Sequence, residues 1–584
     1  MNWKIDCTTP GADVRITERQ EHTDAGQPLL YDVDVAFAQE LIPKPMSLRF
    51  AFDNLDTYSV WSPTIWSSRH MGPNWQKRTS ASRLASGLPL HALVSLGGRN
   101  RLTVALSDAS TATEIRSGIV EETAQTEVEI RLFTQPQNAI ASYHVTVYLD
   151  FTDRRYEDAI RAAEHWWRSD CGYVCAPAPV YAKLPMYSTW YSFHQNTVPA
   201  DIIKQCIAAK EMGMESVIVD DGWQTDDNSR GYAYCGDWRV APRKIPDMKA
   251  FVDAVHQLGM KFLLWYSVPF VGKHSAAFAR FSDMFLGLRN QNGDRAVGVL
   301  DPRFPEVRAY LVGLYADAVR SWGLDGLKLD FIDSFQLFPD TPVFDSRRDV
   351  RSLDDGVDLL LREITDTLRA VNPEILIEFR QSYVGPTIRK YGNMLRVCDC
   401  PQDALINRRA SADLRLVCGD TAVHSDMLMW NPKEPVESAA AQFIAALFCV
   451  PQISVKLDEI PESHRKMLRF YLDFWRAHRD ILLNGVFRAE NPEAYYSLVS
   501  AEKDGHLIAV AYLEKVLALP QSAVKLSFVN GSGAEGLAVR FPAGWGEKHY
   551  AVRDCMGTVL EQGVCPCGRV TEFPVPRAGL LSLF

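Results

Sequence analysis

Apolar and polar residues alternate over much of the first 170 positions. The runs Leu102-Thr103-Val104-Ala105-Leu106, Glu127-Val128-Glu129-Ile130-Arg131-Leu132-Phe133 and Ile140-Ala141-Ser142-Tyr143-His144-Val145-Thr146-Val147-Tyr148-Leu149 keep a period near two, with Gly, Pro, Asn and Asp between them. This pattern predicts an N-terminal β-sandwich over 1–178. A helix over 155–168, carrying Trp166 and Trp167, leads to the boundary Ala176-Pro177-Ala178-Pro179. Beyond it the period changes. Short apolar runs over 186–193, 216–219, 261–267, 326–329, 375–379, 394–398, 422–427 and 452–456 read as strands, and helical patterns over 200–212, 248–258, 306–322, 357–371 and 436–447 lie between most of them. Eight strand-and-helix units in roughly 300 residues predict an α/β fold, a (β/α)8 TIM barrel over 179–482. The helical pattern is weakest after the fifth and sixth strands, which leaves a doubly wound open sheet as the alternative. From 483 onward short strands return, as in Tyr495-Tyr496-Ser497-Leu498-Val499 and His506-Leu507-Ile508-Ala509-Val510, and predict a C-terminal antiparallel β domain over 483–584.

With 584 residues, 47% hydrophobic and 23% charged, the chain has material for several cores. Its net charge of −10 and its lack of a Lys/Arg-rich run argue against nucleic acid as a partner, because a polyanion needs a basic footprint. A neutral small molecule fits better. The start, Met1-Asn2-Trp3-Lys4-Ile5-Asp6-Cys7, lacks a signal peptide's apolar core, and no stretch approaches the ~18 apolar residues of a membrane span. A cytoplasmic protein is expected. Twelve cysteines are scattered, and Cys171/Cys175, Cys398/Cys400 and Cys565/Cys567 do not form a zinc framework. Reduced, mostly buried thiols are expected.

In a (β/α)8 barrel the chemistry lies just past the carboxyl end of each strand. There this chain places Trp190, Tyr191 and His194; Asp220, Asp221 and Trp223; Trp265; Lys328, Asp330 and Asp333; Glu378, Arg380 and Gln381; Asp399 and Asp403; His424 and Asp426. Indole walls with several carboxylates suit a sugar, whose C–H faces stack while its hydroxyls hydrogen-bond. Many acids also suit a metal, but no D-x-D-x-D-G loop or H-E-x-x-H helix occurs, so neither metal nor cofactor is expected. Glycoside cleavage needs two carboxyl groups. Asp330 is the better nucleophile, because Lys328, two residues away on the same strand face, favours its charge; a purely structural Lys–Asp pair is the alternative. Asp399 is the candidate acid, since desolvation between Cys398 and Cys400 raises a carboxyl pKa. Asp403 is its rival, unless it caps the next helix or pairs with Arg408.

The run Ile218-Val219-Asp220-Asp221-Gly222-Trp223, the following Gly236-Asp237-Trp238 and the Lys328-Leu329-Asp330 strand end resemble glycoside hydrolase family 36, the α-galactosidases of the melibiase clan. Phe262-Leu263-Leu264-Trp265 and Leu300-Asp301-Pro302 stand in register too. The resemblance covers 184–479, and the order β domain, barrel, β domain extends it to the whole chain, with the family's supersandwich at the front. It implies a retaining mechanism: Asp330 forms a glycosyl-enzyme and the sixth-strand acid, Asp399, protonates the aglycone and then deprotonates water. Asp220 and Asp221 then bind the O4 and O6 side of an α-galactosyl unit, Trp265 stacks on it and Lys328 binds a hydroxyl. Family members also lend the pocket an aromatic residue from the sandwich, for which Trp61, Trp66 and Trp75 are the candidates. A galactosyl transferase of the raffinose-synthase type shares the same covalent intermediate.

The chain also departs from the family. Many bacterial members carry Cys-Ser-Gly-Gly-Gly after the fifth strand, near O2 of the sugar; here the segment 378–386 reads Glu378-Phe379-Arg380-Gln381-Ser382-Tyr383-Val384-Gly385-Pro386. A buried Arg380 needs an anion or several acceptors, which implies either a sugar with an altered C2 group or a charged substituent, or a pairing with a barrel acid such as Glu378 or Asp399. The sixth-strand segment Arg396-Val397-Cys398-Asp399-Cys400-Pro401-Gln402-Asp403 differs from the family's Ser-Asp-Asn-Thr-Asp form as well.

Overall fold

The computed structural model describes residues 1–19, 26–66, 68–289, 296–567 and 570–584. Two six-stranded sheets, built from strands between Lys4–Cys7 and Ile140–Asp150, face one another across a core that includes Val33, Leu48, Val104, Leu106, Ile130 and Val147. The alternation read from the sequence has its cause there: one side of each strand faces this core. A helix, Tyr156–Ser169, follows and buries both Trp166 and Trp167.

Eight parallel strands then close a barrel: Met186–Ser188, Ser216–Val219, Lys261–Ser267, Gly326–Asp330, Leu376–Arg380, Met394–Arg396, Ala422–Leu428 and Val450–Ile453. Closure removes the open-sheet alternative. The first strand is shorter than its apolar run, because Thr189 turns into the α-region and Trp190–Phe193 form a helical turn. Apolar runs do not by themselves separate a strand from a short helix. Between the third and fourth barrel strands the chain makes an excursion that the sequence pattern missed, a sheet of Phe270–Gly272, Phe285–Arg289 and Val297–Leu300. The helix Pro305–Trp322 starts on proline at its first turn and ends at Gly323, whose φ of 74° is left-handed. After the fifth strand there is only a 3-10 turn, Ile388–Lys390, where the helical pattern was weakest; after the sixth, Ala404–Val417 is a full helix. A sheet of seven strands from Val486–Glu490 to Leu580–Leu583 and a smaller three-stranded sheet complete the chain. The larger is antiparallel except for one parallel pair, and the smaller has one parallel and one antiparallel pair. No helix among the described residues is long and apolar enough to cross a membrane.

Candidate active site

The second barrel strand is buried throughout, and the chain leaves it through Asp220 and Asp221. The Asp220 carboxylate accepts from the Lys328 ammonium at 2.6 Å and from the Asp221 N–H at 2.9 Å. Asp221 accepts from the side-chain amides of Gln195 at 2.8 Å and Gln224 at 2.7 Å. Burial pushes its carboxyl up to about 6; Asp220 adds to the rise and the two amides oppose it. Next comes Gly222, with φ of +116°, where a Cβ would stand 2.4 Å from the Gln195 backbone. Glycine is required for so close an approach.

On the fourth strand Lys328 and Asp330 share a face, as a period of two demands. Three donors hold Asp330. Arg380 Nε (2.5 Å) and the Phe331 N–H (2.8 Å) reach Oδ1, and Trp265 Nε1 (2.9 Å) reaches Oδ2. Burial opposes the charge, but Arg380 and Lys328 outweigh it and hold the carboxyl well below the usual range. Arg380 thus pairs with a barrel acid, as one of the alternatives expected, but that acid is Asp330 and not Glu378 or Asp399. Its guanidinium also donates to the Gln381 carbonyl at 2.8 Å and lies 3.7 Å from Asp333. Rings of Phe331 and Tyr383 flank it.

Arg396, at the end of the sixth strand, takes the other acids. It donates to Asp426 at 2.6 Å, and it lies 2.9 Å from Asp399 and 3.5 Å from Glu378. This corrects the expectation for Asp399. Its side chain is 54% exposed; what burial it has raises its pKa, yet Arg396 and Lys328 pull the carboxyl below its ordinary value. Asp403 accepts from the Ile406 N–H at 2.9 Å and caps Ala404–Val417, the structural alternative to an acid's role.

Trp265 is buried, and its ring meets Tyr232, Trp238 and Phe331. Trp190 packs on His194 at 4.4 Å, on the Asp220 side of the site. Gln381 is buried with its amide nitrogen unpartnered among the described residues. Two expectations fail. His424 lies lower in the barrel, bonded to the Ala182 carbonyl at 2.7 Å in the turn that precedes the first strand, and burial lowers its pKa to about 4. Trp66 packs on Arg409 of the helix after the sixth strand, its carbonyl accepting from that side chain at 2.6 Å. The sandwich meets the site elsewhere: Arg83 donates to the carbonyls of Asp333 and Phe335, and the Gly87 N–H to that of Ser382. Trp61 is a core residue bonded to Tyr496, and Trp75 is 72% exposed.

Sequence reasoning passed over Arg396 and Tyr232. Arg396 had a usable signal, a charge on an inward strand position three residues before an acid. Tyr232 had none, because the long loop after the second strand carries it to Trp265 and Phe331.

Residues 185–400 match the family model Melibiase. The chain is 23% identical over 382 residues to the α-galactosidase AgaA of Geobacillus stearothermophilus, covering 60% of this chain and 49% of that protein. It is 30% identical over 151 residues to the α-galactosidase Mel36A of Lactobacillus acidophilus, covering 25% and 19%. The matched part thus spans about half the length of AgaA and about a fifth of Mel36A. Among solved structures, the family 36 α-galactosidase AgaA in complex with raffinose shares the fold at a TM-score of 0.65 and 15% identity, over 100% of this chain and 86% of that one. The enzyme from Lactobacillus brevis does so at 0.63 and 14%, over 100% and 87%. The strand ends that carry Asp220, Asp221, Trp265, Lys328 and Asp330 all fall inside the segment 185–400 that is similar to the Melibiase family model.

Proposed function

We propose that this chain is a retaining α-galactosidase with Asp330 as nucleophile and Asp399 as acid/base. The observation that carries the reading is the state of Asp330: a buried strand-end carboxylate, kept ionised by Arg380 and Lys328 and oriented by Trp265. Nucleophilic displacement at an anomeric carbon needs a carboxylate held in that form. Asp399 is the partly exposed acid whose charge interacts with that of Asp330, and exposure gives it access to a leaving group and to water. Asp330 attacks the anomeric carbon while Asp399 protonates the departing oxygen; water, deprotonated by Asp399, then breaks the ester and returns the electron pair to Asp330. Asp220, Asp221 and Lys328 offer acceptors and a donor to the sugar hydroxyls, and Trp265, Trp190 and Gln381 line the glycon side. This chemistry uses no cofactor. Relatives named as α-galactosidases support galactose as the sugar. Arg380 supports it too, since Asp330 and Asp333 already meet its charge and leave it no anionic C2 substituent to bind. Buried thiols such as Cys206, Cys235 and Cys449 suit the reducing cytoplasm to which we assign the protein.

The test is release of phenol from aryl α-glycosides of galactose, N-acetylgalactosamine, glucose and arabinopyranose. Galactoside turnover is expected, lost in Asp330→Ala and slowed roughly 10²–10⁴-fold in Asp399→Asn. Full activity in Asp330→Ala would remove the nucleophile, and an active Asp399→Asn beside an inactive Asp403→Asn would move the acid. Product analysis with raffinose separates hydrolysis from galactosyl transfer.

A further inference from the structure

The two oxygens of Asp330 are not equivalent. Among the described residues Oδ1 has two donors, Arg380 Nε and the Phe331 N–H, whereas Oδ2 has one, the Trp265 indole. Oδ2 is therefore the less encumbered oxygen. We propose that Arg380 acts through Asp330 to set the lifetime of the glycosyl-enzyme, holding Oδ1 so that the carboxylate departs readily from the ester that Oδ2 forms. The inference rests on the retaining reading above and assigns Arg380 to the second chemical step.

The physical argument compares two states of one group. As a free carboxylate Asp330 bears a full negative charge, shared with Oδ1; as an ester its Oδ1 is a neutral carbonyl. A guanidinium hydrogen-bonded to Oδ1 stabilises the first more than the second, because its positive charge attracts a full negative charge more strongly than a carbonyl dipole. Arg380 therefore opposes formation of the ester and favours its breakdown. In the first step the bond from Oδ2 to the anomeric carbon forms while the glycosidic bond breaks, its electron pair leaving with the aglycone oxygen that Asp399 protonates. In the second, water attacks the same carbon, its proton goes to Asp399, and the Oδ2 bond breaks with its pair returning to the carboxylate. Arg380 moves no proton in either. Its position is fixed independently of any substrate: the Gln381 carbonyl accepts from it, Asp333 lies on its far side, and the Phe331 and Tyr383 rings flank it. That anchoring keeps the guanidinium on Oδ1 while Oδ2 reacts.

The experiment is stopped-flow and steady-state hydrolysis of phenyl and 4-nitrophenyl α-galactosides by wild type, Arg380→Gln and Arg380→Lys, with the thermal transition of each recorded. In Arg380→Gln, deglycosylation is expected to slow roughly tenfold or more. A burst of nitrophenol, equal kcat for the two leaving groups, a lowered KM and an intact mass raised by one galactosyl unit then appear together. Arg380→Lys keeps the charge near Oδ1 and shows a smaller burst. A substitution that only loosened the site would lower kcat/KM with no burst and leave kcat dependent on the leaving group; that result, in a variant that melts like wild type, overturns the proposal alone. Wild-type inactivity on every α-glycoside overturns it together with the reading on which it rests.

Discussion

Neighbouring residues Asp220 and Asp221 meet opposite fates because of what faces them. Asp220 has the Lys328 ammonium at 2.6 Å, while Asp221 accepts from the neutral side-chain amides of Gln195 and Gln224. Two amide donors do not offset burial beside a like charge, so the Asp221 carboxyl stands at about 6 and Asp330, facing two cations, lies below the usual range. The signs follow for stability. A raised acid binds its proton more tightly folded than unfolded, so Asp221 lowers stability as pH rises from about 4 through about 6. Asp330 does the reverse: its stabilisation is present above the unfolded pKa and fades as pH falls toward the folded one. Asp221→Asn is expected to gain stability relative to wild type between about pH 4 and pH 7.5, by up to ~3 kcal/mol, while losing galactoside turnover. Thermal melts across that range check it, and a gap that stays constant with pH would refute the assignment. Residue types at strand ends were legible in the chain, but pairings such as Arg380 on Asp330 and Arg396 on Asp426 were not, because they depend on side chains from adjacent strands meeting inside the barrel.

At the scale of elements, periodicity found most of the barrel because each strand buries an apolar run, and strands such as Lys261–Ser267 keep the predicted bounds. The departures share a cause. Trp190–Phe193 is apolar enough for a strand but is drawn into a helical turn, and Tyr495 and Tyr496 take left-handed φ values of 54° and 67° ahead of the strand Leu498–Lys503. Tertiary contacts override local propensity at those places: Tyr191 donates to Asp426 at 2.9 Å, and Tyr496 receives Trp61 at 2.8 Å. The turn after the second strand depends on Gly222. In Gly222→Ala the new Cβ would displace Gln195, whose amide holds Asp221, so kcat/KM for a galactoside is expected to fall roughly tenfold or more. Activity retained with an unchanged melting curve would show that the close approach is dispensable.

Across the whole molecule, one buried network ties the three regions together. Arg69 of the sandwich meets Asp413 of the helix Ala404–Val417 at 2.5 Å, Tyr496 of the C-terminal region donates to the same carboxylate, and the Trp61 indole donates to the Tyr496 hydroxyl. Arg409 lies 3.8 Å from Asp413. Asp413 is thus the anion between two buried guanidinium groups. Asp413→Ala strands both, at an expected cost of about 3–5 kcal/mol, read as a lowered urea midpoint; a change under about 1 kcal/mol would mean that the network does not hold the regions together. The order sandwich, barrel, β region and the acids at strand ends were determined by the sequence itself, because periodicity and the surfacing of buried strands are local properties of the chain. Barrel closure, the placement of His424 below the site and Trp66 on its flank, the arrival of Tyr232, and the pairing of Arg380 with Asp330 were decided only by tertiary structure. Each depends on groups far apart in sequence sharing one low-dielectric space, where the nearest charge, not the nearest neighbour in the chain, sets a carboxyl's state.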